Sequence, residues 1–213
     1  MSDPIRERVL VEALAEIPES GFSEAALAAA AARAGVGKRE LQDAFPKGPA
    51  SLVEAFSDWA DRRMTEIMAT GDSGQRLRDK VASAVRNRIE VLAPHKETAR
   101  RAAAFLAAPQ HAALAARLMM RSVDAMWRAA GDASSDFSYY TKRAMLAGVY
   151  GATLAYWFSD ASEGHSATWT FLGNRIDNVM QIEKFRGQAR DAMAKLPNPL
   201  DILNSLRRRL ALN

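Results

Sequence analysis

The sequence predicts an all-α protein of about ten helices, with a helix-turn-helix at its N-terminus and an amphipathic helix at its C-terminus. No segment shows the strict alternation of apolar and polar residues that is typical of a half-buried strand. Alanine, the strongest helix former, supplies much of the 48% of residues that are hydrophobic. Apolar residues also recur at helical spacing, as in Leu77, Val81, Val85, Ile89 and Leu92.

The first helix has clear start and stop residues. Asp3 is a suitable N-cap, and Pro4 suits the first helical position because its missing N–H has no partner there in any case. We expect this helix to run to about Ile17 and to be broken by Pro18 and Gly21.

The next helices are delimited in the same way. Ser23 predicts the cap of a second helix that Gly35 closes, and a short third helix is expected from Lys38 to Ala44. Pro49 begins a longer one that ends near Gly71. Much later, the stretch 139–158 is apolar on most sides, which predicts a central helix.

Charge divides the chain into three regions. Residues 1–47, the predicted helix-turn-helix head, hold six basic and eight acidic residues. Residues 48–190 form the predicted helical body, and residues 191–213 form a linker and tail. The net charge of the whole chain is +4, and most of the excess lies in residues 184–213, with seven basic and two acidic residues. The head is therefore acidic and the C-terminus basic.

The sequence contains little that supports catalysis. His95, His111 and His165 are isolated from one another and lack the partners of a zinc or di-iron motif. There is no glycine-rich phosphate loop, no nucleophile elbow and no cysteine. We therefore predict no catalytic residues, no metal ligands, no cofactor and no enzymatic activity.

The stretch "ALAAAAARAGVGKRELQDAFPKG", residues 26–48, resembles the DNA-binding unit of TetR-type repressors. In that family a tyrosine-rich stretch precedes the phenylalanine, and a lysine three residues after it grips phosphate. Here Gln42, Asp43 and Ala44 occupy the first positions and Gly48 the last. Because DNA affinity depends mainly on neutralising phosphates, we expect no nucleic-acid binding. The alternative is a TetR-type ligand-responsive transcriptional regulator, for which a basic head is expected.

The last helix is amphipathic. Its apolar arc consists of Leu200, Ile202, Leu203, Leu206 and Leu210. Arg207 and Arg209 flank that arc, as expected of a helix that lies on a bilayer with its arginine heads among phosphates. We predict a membrane-binding helix. The alternative is an ordinary helix docked on the body.

A cluster of aromatic residues and one arginine follows the loop "GDASSD". Tyr139, Arg143 and Tyr150 share one helical face, and Tyr140 lies on the adjacent side. Tyrosine and arginine dominate interface hot spots, so we predict an exposed partner-binding patch. The alternative is that Tyr140 packs in the core.

Several stretches of the body resemble the Coq-nine (COQ9) family, lipid-binding accessory proteins of ubiquinone biosynthesis. They are "VLAPHKETARRAAAFLAAPQ", "SVDAMWRAAGD", "DFSYYTKRAMLAGVY" and "TWTFLGNRIDNVMQIEK". The similarity extends over roughly residues 5–185. It implies a TetR-like homodimer that no longer binds DNA, with a C-terminal helix that docks on membranes.

The resemblance also implies a deep apolar pocket for isoprenoid quinone intermediates. We predict that its lining includes Met126, Leu146, Trp157, Trp169, Leu172 and Ile176. The implied partner is the di-iron hydroxylase that acts on demethoxyubiquinone. The start "MSDPIRERVL" lacks the features of a transit peptide, so the expected location is the bacterial cytoplasm, peripheral on the inner membrane.

Overall fold

The computed structural model describes residues 3–71, 74–132 and 138–178. Within these ranges the chain forms helices joined by short turns, and it forms no strand, which confirms the all-α prediction. Two compact units divide the chain, residues 1–172 and 173–213. The predicted domain boundaries after residues 47 and 190 remain predictions.

The described residues form eight bounded α-helices and a further helical segment over residues 166–178. In chain order they are α1 (Pro4–Ser20), α2 (Glu24–Arg33), α3 (Lys38–Ala44), α4 (Pro49–Ala69), α5 (Leu77–Leu92), α6 (Lys96–Ala107), α7 (Ala112–Ala129) and α8 (Ser138–Ser159). Single 3₁₀ turns cover Ala93–His95, Pro109–His111 and Glu163–His165.

Helix α1 begins where the sequence predicts but ends later. The Asp3 carboxylate accepts a hydrogen bond from the backbone N–H of Ile5 at 2.9 Å, and Pro4 occupies the first turn. The expectation that Pro18 ends the helix is wrong, because Pro18 lies inside it. Proline removes one backbone bond, but the helix continues until Gly21, whose φ of +66° suits a residue without a Cβ.

The predicted limits of α2 and α3 are confirmed. The Ser23 hydroxyl accepts a hydrogen bond from the N–H of Ala26 at 3.1 Å, and α3 covers Lys38–Ala44. Helix α1 packs against α2, α3 and α4. The interior of this head is apolar, with Val9, Leu10, Ala13, Ile17, Leu27 and Ala30 buried.

The body is a set of helices packed around α4 and α7. Helix α4 packs against α5 and α7, α7 packs against α8, and α6 packs against α1 and α7. The largest fully buried side chains of the body include Leu52, Met64, Ile89, Met126 and Trp157. Helix α8 covers 138–159, close to the predicted 139–158. Its buried residues are apolar, aromatic, polar and charged: Arg143, Leu146, Val149, Tyr150, Thr153 and Trp157.

Candidate functional site

A cavity of about 300 Å³ lies among helices α4 to α8, within the unit formed by residues 1–172. Most of its wall is apolar. The apolar lining residues are Val53, Phe56, Leu92, Ala99, Ala102, Ala103, Leu106, Ala107, Ala115, Leu118, Met119 and Leu154. Five of them are on α6, and four of those five are alanines, whose short side chains leave the space that a larger residue would fill. The wall extends from Ala107, which is exposed, to deeply buried side chains.

The polar part of the wall is built around Arg88, whose side chain is buried. Its Nε donates to Asp61 Oδ1 at 2.6 Å, and Nη2 donates to the hydroxyls of Ser57 and Ser122 at 3.1 and 3.0 Å. Its Nη1 donates to the hydroxyl of Tyr150. The Ser122 hydroxyl in turn donates to Asp61 Oδ2 at 3.0 Å. We call these five side chains the Arg88 network.

Burial and charge act in opposite directions on the Arg88 network. Burial has the largest single influence on the Arg88 guanidinium and by itself lowers its pKa, but the charge of Asp61, the Asp61 hydrogen bond and the neighbouring Tyr150 together outweigh it, so the pKa is raised above its ordinary value. Burial raises the pKa of the Tyr150 phenol, and the Arg88 cation offsets part of that rise. The network therefore presents a paired cation and protonated hydroxyls, which can donate hydrogen bonds to an uncharged ligand.

Arg88 and Asp61 were not predicted as site residues from the sequence, although their positions in it indicate a buried ion pair. Arg88 lies between Val85 and Leu92 in the apolar stripe of α5, and Asp61 lies among the buried positions of α4. A charged residue on the core face of a helix is costly unless it is paired. An arginine and an aspartate on the buried faces of successive helices indicate such a pair.

The six predicted lipid-lining residues lie elsewhere. Five are buried core residues: Met126, Leu146, Trp157, Leu172 and Ile176. Trp169 is partly exposed, and the guanidinium of Arg86 lies 4.9 Å from its ring centre. For the cavity described above the prediction is wrong, because none of these six residues belongs to its lining.

The predicted partner patch is only partly at the surface. Arg143 and Tyr150 are 2% and 3% exposed, so the expectation of an exposed cluster is wrong for both. Arg143 Nη2 lies 2.7 Å from Asp124 Oδ1, and Tyr150 belongs to the Arg88 network. Tyr140 is 70% exposed, as the patch requires and contrary to the core alternative. The side chain of Tyr139 lies outside the described residues.

The head differs from the TetR pattern at the positions that the sequence singled out. Asp43 is exposed on α3, and Ala44 points into the protein interior. Gly48 has a φ of +52°, and a Cβ at this position would meet the Glu24 carboxylate. A lysine side chain at position 48 would therefore be strained and would start against an acidic group.

The predicted membrane helix, residues 200–210, lies outside the described residues. Within the described part of the chain, none of the helices combines the length and hydrophobicity needed to cross a bilayer.

The fold is similar to that of a solved transcriptional regulator. The crystal structure of a TetR transcriptional regulator from Nitrosomonas europaea superposes with a TM-score of 0.64 at 20% identity, covering 82% of this chain and 97% of that one. At this identity the likeness shows the fold alone. It confirms the TetR-like architecture.

The sequence is similar to curated proteins named ubiquinone biosynthesis protein COQ9, mitochondrial. The Drosophila melanogaster protein is 32% identical over 191 residues, which cover 87% of this chain and 58% of that protein. The Rattus norvegicus and Homo sapiens proteins are each 31% identical over 188 residues, covering 84% of this chain. These two alignments cover 60% and 59% of the rat and human proteins.

The relatives contradict the expected location of the protein. Their names place them in mitochondria, which contradicts the expected bacterial cytoplasm and inner membrane. That expectation depended on the first residues of a chain that spans less than two thirds of the length of these relatives.

The family model for COQ9 matches residues 112–183, a range that includes α7, α8 and the segment after them. Together with the similarity over most of the sequence, this match confirms the predicted resemblance to the COQ9 family.

Proposed function

We propose that the chain is a non-enzymatic lipid-binding accessory protein of ubiquinone biosynthesis. It binds a polyprenyl quinone intermediate and delivers it to the demethoxyubiquinone hydroxylase at the membrane surface. The observation that carries the proposal is the apolar cavity of about 300 Å³ in the body of a chain whose relatives are named ubiquinone biosynthesis proteins.

The chemistry of the intermediate explains why such a protein is useful. Each methylene moved from water to an apolar site is worth about 0.8 kcal/mol, so a polyprenyl tail does not leave a bilayer unaided. A protein that shields part of the lipid lowers the barrier to transfer. The apolar wall formed by α6 and α7 is suited to that role, since most of its side chains carry no polar atom.

Delivery needs contact with a membrane and with the hydroxylase. We assign the membrane contact to Leu200, Ile202, Leu203, Leu206, Arg207, Arg209 and Leu210. We assign part of the hydroxylase contact to Tyr140, because its side chain is 70% exposed at the start of α8. The homodimer implied by the family resemblance belongs to the same proposal.

Lipid analysis of the purified protein tests the proposal. Solvent extraction followed by mass spectrometry should recover an isoprenoid quinone or a related lipid in a stoichiometric amount. The Ala103→Phe variant should lose it, because the new ring would occupy the cavity. Ala104→Phe is the matched control, since its neighbour Ala104 is exposed on the same helix and lies outside the cavity lining.

Two results would contradict the proposal. The first is a wild-type protein that carries no lipid, and the second is an Ala103→Phe variant that carries as much lipid as the Ala104→Phe variant.

A flotation assay tests the membrane contact separately. Deleting residues 198–213 should abolish binding to anionic liposomes and leave the helical circular dichroism of the body intact, whereas continued flotation would place the contact elsewhere.

A further inference from the structure

Two hydroxyl groups at the polar wall of the cavity accept a hydrogen bond but have no acceptor for their own proton among the described residues. Tyr150 and Ser57 each accept from Arg88, through Nη1 and Nη2 respectively. Both side chains line the cavity. Ser122 differs, because its proton already goes to Asp61 at 3.0 Å. The cavity therefore has two donors in excess of its own acceptors.

An unused donor in such a place has a cost and a use. Leaving a buried polar group without a partner costs about 1–3 kcal/mol. Tyr150 is buried and Ser57 is partly exposed, so the Tyr150 hydroxyl above all favours an occupant that supplies an acceptor. Accepting from a cationic guanidinium also polarises each O–H bond and strengthens the hydrogen bond it donates. An occupant made only of hydrocarbon would leave both donors unsatisfied.

We propose that the cavity holds the oxygen-bearing ring of an amphiphilic lipid, with Tyr150 and Ser57 donating hydrogen bonds to its carbonyl or ether oxygens and the hydrocarbon tail directed outward past α6. This inference rests on the proposed lipid-binding function. It adds the orientation of the lipid and the two side chains that hold its head group.

The size of the cavity supports a ring rather than a long tail. A cavity of about 150 Å³ accommodates a benzene molecule, and this one is about 300 Å³. That volume suits one substituted ring with the first part of its chain. Exposed Ala107 and partly exposed Leu106 mark the side on which the remaining chain would leave.

The orientation has a consequence for delivery. A ring bound at the Arg88 network is sheltered from solvent, and the hydroxylase reaches it only after it leaves the cavity. Binding and hydroxylation then occur in sequence, with the ring as the first part to be secured and the last to be released.

Calorimetric titration with a matched pair of probes tests the orientation. One probe is a dimethoxy-methyl-benzoquinone with a decyl chain, and the other is decylbenzene, which has the same chain but no acceptor. The Tyr150→Phe and Ser57→Ala variants should each weaken quinone binding about three- to tenfold, the loss of one neutral hydrogen bond. Their affinity for decylbenzene should stay within about twofold of the wild type.

The control is Tyr156→Phe, which removes a tyrosine hydroxyl from the same helix outside the cavity and should change neither affinity. Thermal melts check that each variant folds, and Ser57→Ala keeps the test decisive if Tyr150→Phe does not. Equal effects of a variant on both probes, or no effect on either, would overturn the orientation while lipid binding stands. Failure of both probes to bind the wild type would overturn the lipid-binding function as well.

Discussion

The head and the body bury different kinds of residues. In the head, over described residues 3–47, every fully buried side chain is apolar. The buried polar and charged residues of the described chain all belong to the body and are Ser51, Asp61, Arg88, Thr98, Ser122, Arg143, Thr153 and Thr168. A purely apolar interior stabilises a fold and has no further chemical capacity. Buried polar groups are costly, and the body retains them, with Arg88 and Ser122 in the wall of the cavity.

Two arginines make the contrast specific. Arg33 in the head contacts Glu12 and Glu16 at 3.2 and 2.7 Å with its side chain 39% exposed. Arg88 in the body contacts Asp61 at 2.6 Å with its side chain 6% exposed. Water screens the first set of contacts, whereas the second contact is buried. The same residue type is therefore a surface detail in one region and a structural requirement in the other.

The largest expected effect is at the buried arginine. Arg88→Met would leave the Asp61 carboxylate buried without its cation, which typically costs about 3–5 kcal/mol in the free energy of unfolding. Urea denaturation followed by circular dichroism measures it. The double variant Arg88→Met with Asp61→Leu should recover most of the loss, since it removes the unpaired charge. A loss below about 1 kcal/mol in the single variant would show that the network is not needed for folding.

At the surface of the body we expect a smaller change in free energy, and it concerns binding of the partner rather than folding. Tyr140→Ala should weaken association with the hydroxylase by more than about 1 kcal/mol while the melting temperature stays nearly unchanged, because the side chain is 70% exposed. A pull-down with quantified partner, together with a thermal melt, measures both. Tyr156→Ala is the control, being a second exposed tyrosine on α8. Equal retention of the partner by both variants would remove Tyr140 from the interface.

The exposed arginine of the head should matter less. Arg33→Ala is expected to lower the free energy of unfolding by less than about 1 kcal/mol, since exposed ion pairs gain little in water. The same urea titration applies, so that Arg33 and Arg88 are compared under one condition. A cost equal to that of Arg88→Met would end the distinction between the two regions.

Adding a basic residue to the head should not create DNA binding. Selection from a genomic library should enrich no DNA sequence, either for the wild type or for Gly48→Lys. The reason is that the lysine would meet the Glu24 carboxylate and a backbone φ of +52°. A reproducibly enriched operator for the wild type would favour the regulator alternative.

Local sequence patterns predicted the helices, whereas the cavity depends on how side chains from different helices pack together. Asp3 and Ser23 mark helix starts because capping depends on neighbouring backbone groups alone. A cavity depends on volume that side chains do not fill, and alanines such as Ala99 and Ala103 give no periodic signal for missing volume. The large residues chosen from the sequence, such as Trp157, were therefore core residues.

Periodicity has a further limit, which Arg143 and Tyr150 illustrate. Their spacing places them on one face of α8, and the structure agrees that both face the same way. Periodicity does not state which face is buried when the helix is apolar on most sides, as α8 is. Arg143 and Tyr150 were therefore wrongly assigned to the surface, while Tyr140 on the adjacent side is exposed as predicted.

The pairing of Arg88 with Asp61 has a consequence for salt. The two side chains together carry no net charge, and both are buried in the body. A ligand held by oriented hydroxyls beside them should be insensitive to ionic strength. The predicted contact between the basic tail and an anionic bilayer should weaken as the Debye length shrinks to about 3 Å at 1 M salt. Washing with concentrated salt would then release the protein from membranes with its lipid still bound.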